Sequence, residues 1–314
     1  MSEVLVEIRR GGVVEGVHRG HAVVVGPDGR VERAWGDPGM LILPRSANKP
    51  AQAAAMLRAG VPLDGELLAL AAASHSGEDF HADGVRRILG LGGLDESQLL
   101  TPAELPIDDD VRTRVLRDGG EPSRVSMNCS GKHAAMLLTC RVNDWPTEDY
   151  VDPDHPLQHA ALAEVTELAG EEPWASAVDG CGAPLFGLSL PGLARLGASC
   201  VQAPSGSPPR RVAEAMSAHP EFVAGTQRDA TALSRSLPGA LVKEGAEAVY
   251  LVALPDGRAV ALKIEDGANR ARPVAMAGIL RAIGIDNEVV EAQSRQVLLG
   301  GGRPAGEIVP ALLP

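Results

Sequence analysis

A chain of 314 residues, 45% of them hydrophobic, can bury a sizeable core as one large domain or two intimately packed lobes. Its net charge of −12, with no basic run, argues against nucleic acid and against anionic membrane surfaces as partners. No apolar run reaches the ~18 residues of a membrane span, the start "MSEVLVEIRRGG" lacks the features of a Sec signal, and four Cys in this setting do not read as a disulfide framework; the expectation is a cytoplasmic protein.

In chain order, the alternating "VLVEIRR" reads as a strand, and "GHAVVVGPDGRVERAWG" as a hairpin turning at Pro27–Gly29. "SANKPAQAAAMLRAG" then reads as a helix. The centre is mostly helical, through "GELLALAAA", "HADGVRRILG", "GKHAAMLLTCRV", "HPLQHAALAEVTELAG", "PGLARLG" and "PRRVAEAMSAHP", with a loop-rich interruption at "DGCGAPLFGLSLPG". A second hairpin, "AEAVYLVALPDGRAVALKIEDG", turns at Pro255–Gly257 and is followed by a helix at "ARPVAMAGILRAIG"; the tail from Gly300 carries weak signals and is expected to fray. Strands at both ends with helices between predict an α+β fold, one antiparallel sheet joining the chain ends, in a single compact domain over 1–314. Its α/β lobe would span about 1–60 and 225–314, and a mostly helical lobe about 61–224.

Lysine is scarce. Only four of the 29 basic residues are Lys: Lys49, Lys132, Lys243 and Lys263. A chain that uses Arg wherever a charge suffices keeps Lys where an amine must lose its proton. Ser46 and Lys49 are three apart at a helix start, where a dry amine beside a hydroxyl can make the oxygen nucleophilic; the plainer reading is Ser46 as a helix cap. In "SHSGEDFH" a polar cluster ends an apolar helix, although Ser76 also reads as a cap. "NCSGKH" fails as a phosphate loop, because Ser126 and His133 stand where Gly and Ser/Thr are required. Cys129, Lys132 and Cys181 offer metal donors, but no Cys-x-x-Cys supports them. Cys140 and Cys200 read as buried free thiols. Lys263 ends a late strand, where an edge Lys is the plainer reading, and Lys243 reads as a surface residue. Arg45, Arg19 and His18 are either substrate-carboxylate ligands or structural ion pairs.

Together, "RSANKPAQ", "ASHSGE", "NCSGKHAAML", "DHPLQ", "DGCGAP" and "KIEDGANRA" resemble the rhizobial-type (class 3) L-asparaginases, the asparaginase II family, over essentially the whole chain. The resemblance implies a serine β-lactamase/glutaminase-like fold and hydrolysis of L-asparagine to L-aspartate and ammonia. It implies two Ser–Lys tandems, Ser46 with Lys49 and Ser74 with Lys263, and a zinc site at Cys129, Lys132 and Cys181 with Asp179 beside it. It implies a homodimer and no organic cofactor. Two alternatives stay open: a penicillin-recognising peptidase or β-lactamase-like hydrolase using Ser-x-x-Lys, and a non-catalytic zinc- or amide-binding module.

Overall fold

The computed structural model describes residues 1–311; positions 312–314, the end of the expected tail, lie outside the described residues. Both chain ends supply one antiparallel sheet. From the N-terminal side come β1 (Glu3–Arg10), β2 (Val13–Val25) and β3 (Val31–Trp35). A second, smaller sheet is formed by β4 (Leu41–Ile42), β5 (Ala175–Val178) and β6 (Pro184–Ser189), in the order β4-β6-β5. From the C-terminal side come β7 (Leu241–Gly245), β8 (Val249–Ala253), β9 (Ala259–Ile264), β10 (Gln296–Gly300) and β11 (Arg303–Pro310). The main sheet runs β10-β11-β1-β2-β9-β8-β7, with β3 paired to the far half of β2.

The central strands alternate between two cores, as a period of two requires. Val23, Val25, Leu251, Ala253, Ala259 and Ala261 point into the helical side. Ala22, Val24, Val252, Val260 and Leu262 point into a second core against the C-terminal helices. Both faces being covered, β7, β8 and β9 are buried almost along their whole length.

The helical side comprises α1 (Lys49–Arg58), α2 (Gly65–Ala71), α3 (Asp79–Leu91), α4 (Asp109–Arg117), α5 (Ser130–Val142), α6 (Pro156–Ala169), α7 (Leu190–Gln202), α8 (Pro208–Ala218) and the single turn α9 (Pro220–Val223). The other side carries α10 (Asp229–Ser236), α11 (Ala271–Ala282) and α12 (Glu288–Gln293). With few aromatics, small residues let the helices approach closely: α1 buries Ala51, Ala53, Ala54 and Ala55, and α5 buries Ala134 and Ala135. Among the described residues no helix is long and apolar enough to cross a membrane.

Three local expectations change. The tail does not fray: β10 and β11 form a hairpin, and β11 pairs with β1 from Arg10↔Gly306 to Val6↔Pro310. Five main-chain partners and a buried Ile308 hold a stretch whose polar, Gly-rich sequence conceals it. The loop-rich interruption contains β6, which pairs with β5 around Asp179–Ala183. β7 was not foreseen as a strand; it pairs with β8 through Lys243↔Leu251 at the sheet edge.

Candidate active site

Ser46 lies in a 3-10 turn, Arg45–Asn48, that runs directly into α1. Pro50 sits in the first turn of α1, where its missing N–H is not needed. Arg45 has φ +52°, a left-handed conformation costing a non-glycine residue about 1–3 kcal/mol. Such strain persists only where the surroundings fix it. Here β7 ends at Gly245 against the turn: a Cβ on Gly245 would lie 2.6 Å from the Pro44 carbonyl oxygen. The Ser46 hydroxyl has no hydrogen-bonded side-chain partner among the described residues and lines a cleft of about 310 Å³.

Lys49, 1% exposed, points from the first turn of α1 toward the loop after α2. Its Nζ donates to the Ala73 carbonyl, to Ser74 Oγ at 3.1 Å and to Cys129 Sγ at 3.0 Å. The structure therefore joins Lys49 to Ser74 and not directly to Ser46. Ser74 is held by main-chain bonds on both sides: its own N–H donates to the Val223 carbonyl and the His75 N–H to that of Asn128. Ser76 Oγ, by contrast, is occupied with the Ala224 carbonyl at 2.9 Å.

The second partner of Ser74 is Lys243. Its Nζ donates to Ser74 Oγ at 3.0 Å and to the Glu244 carbonyl at 2.7 Å. Lys243 is 1% exposed, which corrects the reading of it as a surface residue. Burial pushes its pKa down to about 7, with the Lys49 charge adding to the effect against the opposing Glu244. The expected pairing of Ser74 with Lys263 is corrected at the same time. Lys263 is on β9, two strands from β7, and strands are spaced about 4.8 Å apart. Its half-buried amine is bound instead by the Glu247 and Ile264 carbonyls. The signal that finds Lys243 in the sequence is the same Lys scarcity that singled out the other three.

Cys129, Lys132 and Cys181 are all buried and meet at one point. Cys129 precedes α5, and Lys132 follows one turn later. Cys181 arrives from the β5–β6 turn, closed by Gly182 at φ +88° and its bond to the Asp179 carbonyl. Lys132 Nζ lies 3.3 Å from Cys181 Sγ. The Cys129 thiol donates to Asn128 Oδ1 at 2.9 Å; the neighbouring Cys129 and the Lys132 charge hold the Cys181 thiol well below the usual range, and Cys129 is pushed up correspondingly. Burial disfavours the Lys132 charge, but Cys181, Cys129 and Asp179 together outweigh it and raise the pKa. Two sulfurs and an amine at this spacing fit a soft cation such as zinc, whose tetrahedral donors lie roughly 3.6 Å apart. Among the described residues no three His, Cys, Asp or Glu side chains cluster, so a metal site here depends on Lys132. Cys140 and Cys200 are buried elsewhere, and burial pushes both to about 12.

Asp179 is paired: Arg45 Nε donates to its Oδ1 at 2.8 Å, tying the β5–β6 turn to the residue before Ser46. His18 Nδ1 meets Asp266 Oδ2 at 2.6 Å, and Arg19 donates to the Ser2 carbonyl at 3.3 Å. The cleft is lined by Ser46, Ser74, Asn128, Gly245 and, unforeseen from the sequence, by Arg228, Glu244, Asn269 and Arg272.

The family model described as L-asparaginase II matches residues 6–310. No curated protein sequence matches the chain. Among solved structures, Mglu in its native form is similar at 16% identity and a TM-score of 0.47, covering 86% of this chain and 66% of that one. A β-lactamase from Mycobacterium bovis is similar at 15% identity and 0.46, covering 84% and 94%. EstCE1, a hydrolase with promiscuous acyltransferase activity, is similar at 13% and 0.43, covering 87% and 92%. The chain spans slightly less than two thirds of the Mglu chain. With the family match running from β1 to the end of β11 through every element of the cleft, the chain belongs to the L-asparaginase II family.

Proposed function

We propose that the chain hydrolyses the side-chain amide of L-asparagine to L-aspartate and ammonia by double displacement. The observation that carries this reading is a cleft lined by Ser46 and Ser74 in which Ser74 is hydrogen-bonded to two buried lysines, one of them able to be neutral near pH 7. Ser46 attacks the amide carbon from its strained turn, and its proton passes to the Lys49–Ser74–Lys243 relay. The relay delivers that proton to the leaving nitrogen, the C–N bond breaks, and ammonia departs. Water then attacks the β-aspartyl ester, the relay takes its proton, and L-aspartate is released as Ser46 regains its hydrogen. Main-chain N–H groups at the turn bind the oxyanion. In this reading Lys49 closes on Ser46 when substrate binds, since catalytic hydrogen bonds tighten in the substrate complex.

Cys129, Lys132 and Cys181 would hold zinc, which would supply a fixed positive charge beside the relay when bound. The protein would work as a homodimer, the assembly that the family resemblance implies.

A second reading makes Ser74 the nucleophile, favoured by its direct bonds to both amines. Trapping decides between them. Turnover quenched with acid, followed by mass spectrometry of peptides, is expected to find the β-aspartyl adduct on Ser46. An adduct on Ser74, or full ammonia release by Ser46→Ala, would overturn the assignment. A fluorescent penicillin that labelled Ser46 while asparagine released no ammonia would favour the penicillin-recognising alternative.

A further inference from the structure

Beside the two serines, the cleft is lined by charged groups that the proposed amide chemistry leaves unused. Glu244 is 3% exposed, with Arg228 on Oε1 and Arg272 on Oε2 at 3.2 Å. Burial alone would raise its pKa, yet Arg272 and Arg228 hold it below the usual range. Arg272 also grips Asp229 at 2.8 and 3.0 Å, and its buried Nε has no partner among the described residues. Arg228 is the more open of the two: its side chain is 22% exposed, and Glu244 is its one side-chain partner among the described residues. The cleft thus presents one acid and one open guanidinium side by side, within reach of Ser46 and Ser74.

We propose that Arg228 and Glu244 recognise the two backbone charges of a free amino acid, Arg228 taking the α-carboxylate and Glu244 the α-ammonium. The inference rests on the amide reading of the same cleft and narrows its substrates to unblocked α-amino-acid amides. A zwitterion brings one charge of each sign, so exchanging the Arg228–Glu244 pair for it leaves no buried charge uncompensated. The guanidinium fork suits a carboxylate. A peptide or blocked amide brings only one charge, or neither, and strands a partner.

The test compares kcat/KM for L-asparagine, succinamic acid, which lacks the α-ammonium, and β-alaninamide, which lacks the α-carboxylate. The unaltered protein is expected to favour L-asparagine over both by roughly 100-fold or more. Arg228→Gln is expected to lose about 10- to 100-fold on L-asparagine and succinamic acid, mainly through KM, and little on β-alaninamide. Glu244→Gln is expected to lose on L-asparagine and β-alaninamide and spare succinamic acid. Equal use of all three amides by the unaltered protein, or equal losses on all three in the variants, would overturn the proposal. If Glu244→Gln does not fold, the more exposed Arg228, as Gln and as Lys, decides alone. If none of the amides releases ammonia, the amide reading fails, and calorimetry with L-aspartate judges the recognition pair. Binding lost in Arg228→Gln then upholds it, and binding unchanged or absent from the start refutes it.

Discussion

Ser74 Oγ lies 3.0 Å from Lys243 Nζ and 3.1 Å from Lys49 Nζ. One hydroxyl is shared between two amines that are both cut off from water. Burial, with the Lys49 charge beside it, disfavours the Lys243 ammonium and holds its pKa down to about 7.

Replacing Lys243 should therefore separate activity from stability. Lys243→Met keeps much of the volume and removes the buried amine. Ammonia release is expected to fall by about 1000-fold. Stability near pH 7, from urea unfolding, is expected to rise by a few kcal/mol, because the desolvation penalty disappears.

The pH dependence has a definite sign. The folded pKa of Lys243 is lowered from 10.5 to about 7, so between these values the unfolded chain binds more protons. The penalty from this residue is complete below pH 7 and is relieved as pH rises toward 10.5. Unfolding free energy measured across that window should climb in the unaltered protein and climb less in Lys243→Met. A rising limb of kcat near pH 7 should vanish with the amine.

Lys263 supplies the contrast. Its amine is bound to carbonyls of Glu247 and Ile264, two strands from Lys243. Lys263→Met should keep kcat/KM for L-asparagine within about threefold, since a side chain outside the reacting groups changes no transition-state contact. A 1000-fold loss there, with Lys243→Met active, would restore the pairing expected from the sequence.

Gly245 holds the Ser46 turn in place by having no side chain. A methyl group there meets the Pro44 oxygen at 2.6 Å and the Ala47 nitrogen at 3.3 Å. Gly245→Ala should lower stability by about 1–3 kcal/mol. It should also lower kcat more than KM, because displacing a nucleophile by an ångström costs about 100-fold.

Zinc binding should follow the buried donors. The protein dialysed against zinc is expected to retain one ion by elemental analysis, and Cys181→Ala to lose at least 100-fold in affinity. Because Cys181 holds Lys132 protonated, binding should release protons, and affinity should rise with pH. Retention of stoichiometric zinc by Cys181→Ala would place the metal elsewhere.

The sequence by itself determined the principal helices, the two Pro-Asp-Gly hairpins and the joining of the chain ends in one sheet, and it singled out Ser46, Lys49 and Ser74. Alternation, Pro-Asp-Gly turns and Ala-rich helices are local signals, and local physics reads them directly. Lys scarcity marked chemistry without geometry: it singled out Lys49 and Lys132 and applied equally to Lys243, which lay in an unrecognised strand. Which lysine meets Ser74 was decided only by tertiary structure. β7 and β9 both present a Lys toward the helical side, yet only the edge strand β7 packs against the Ser46 turn and the loop after α2. Strand order is a long-range property, set by which neighbour covers each hydrogen-bonding edge, and no spacing along the chain encodes it. The convergence of Arg228, Glu244 and Arg272 has the same origin: three residues on separate segments become neighbours because α11 and β7 share the second core.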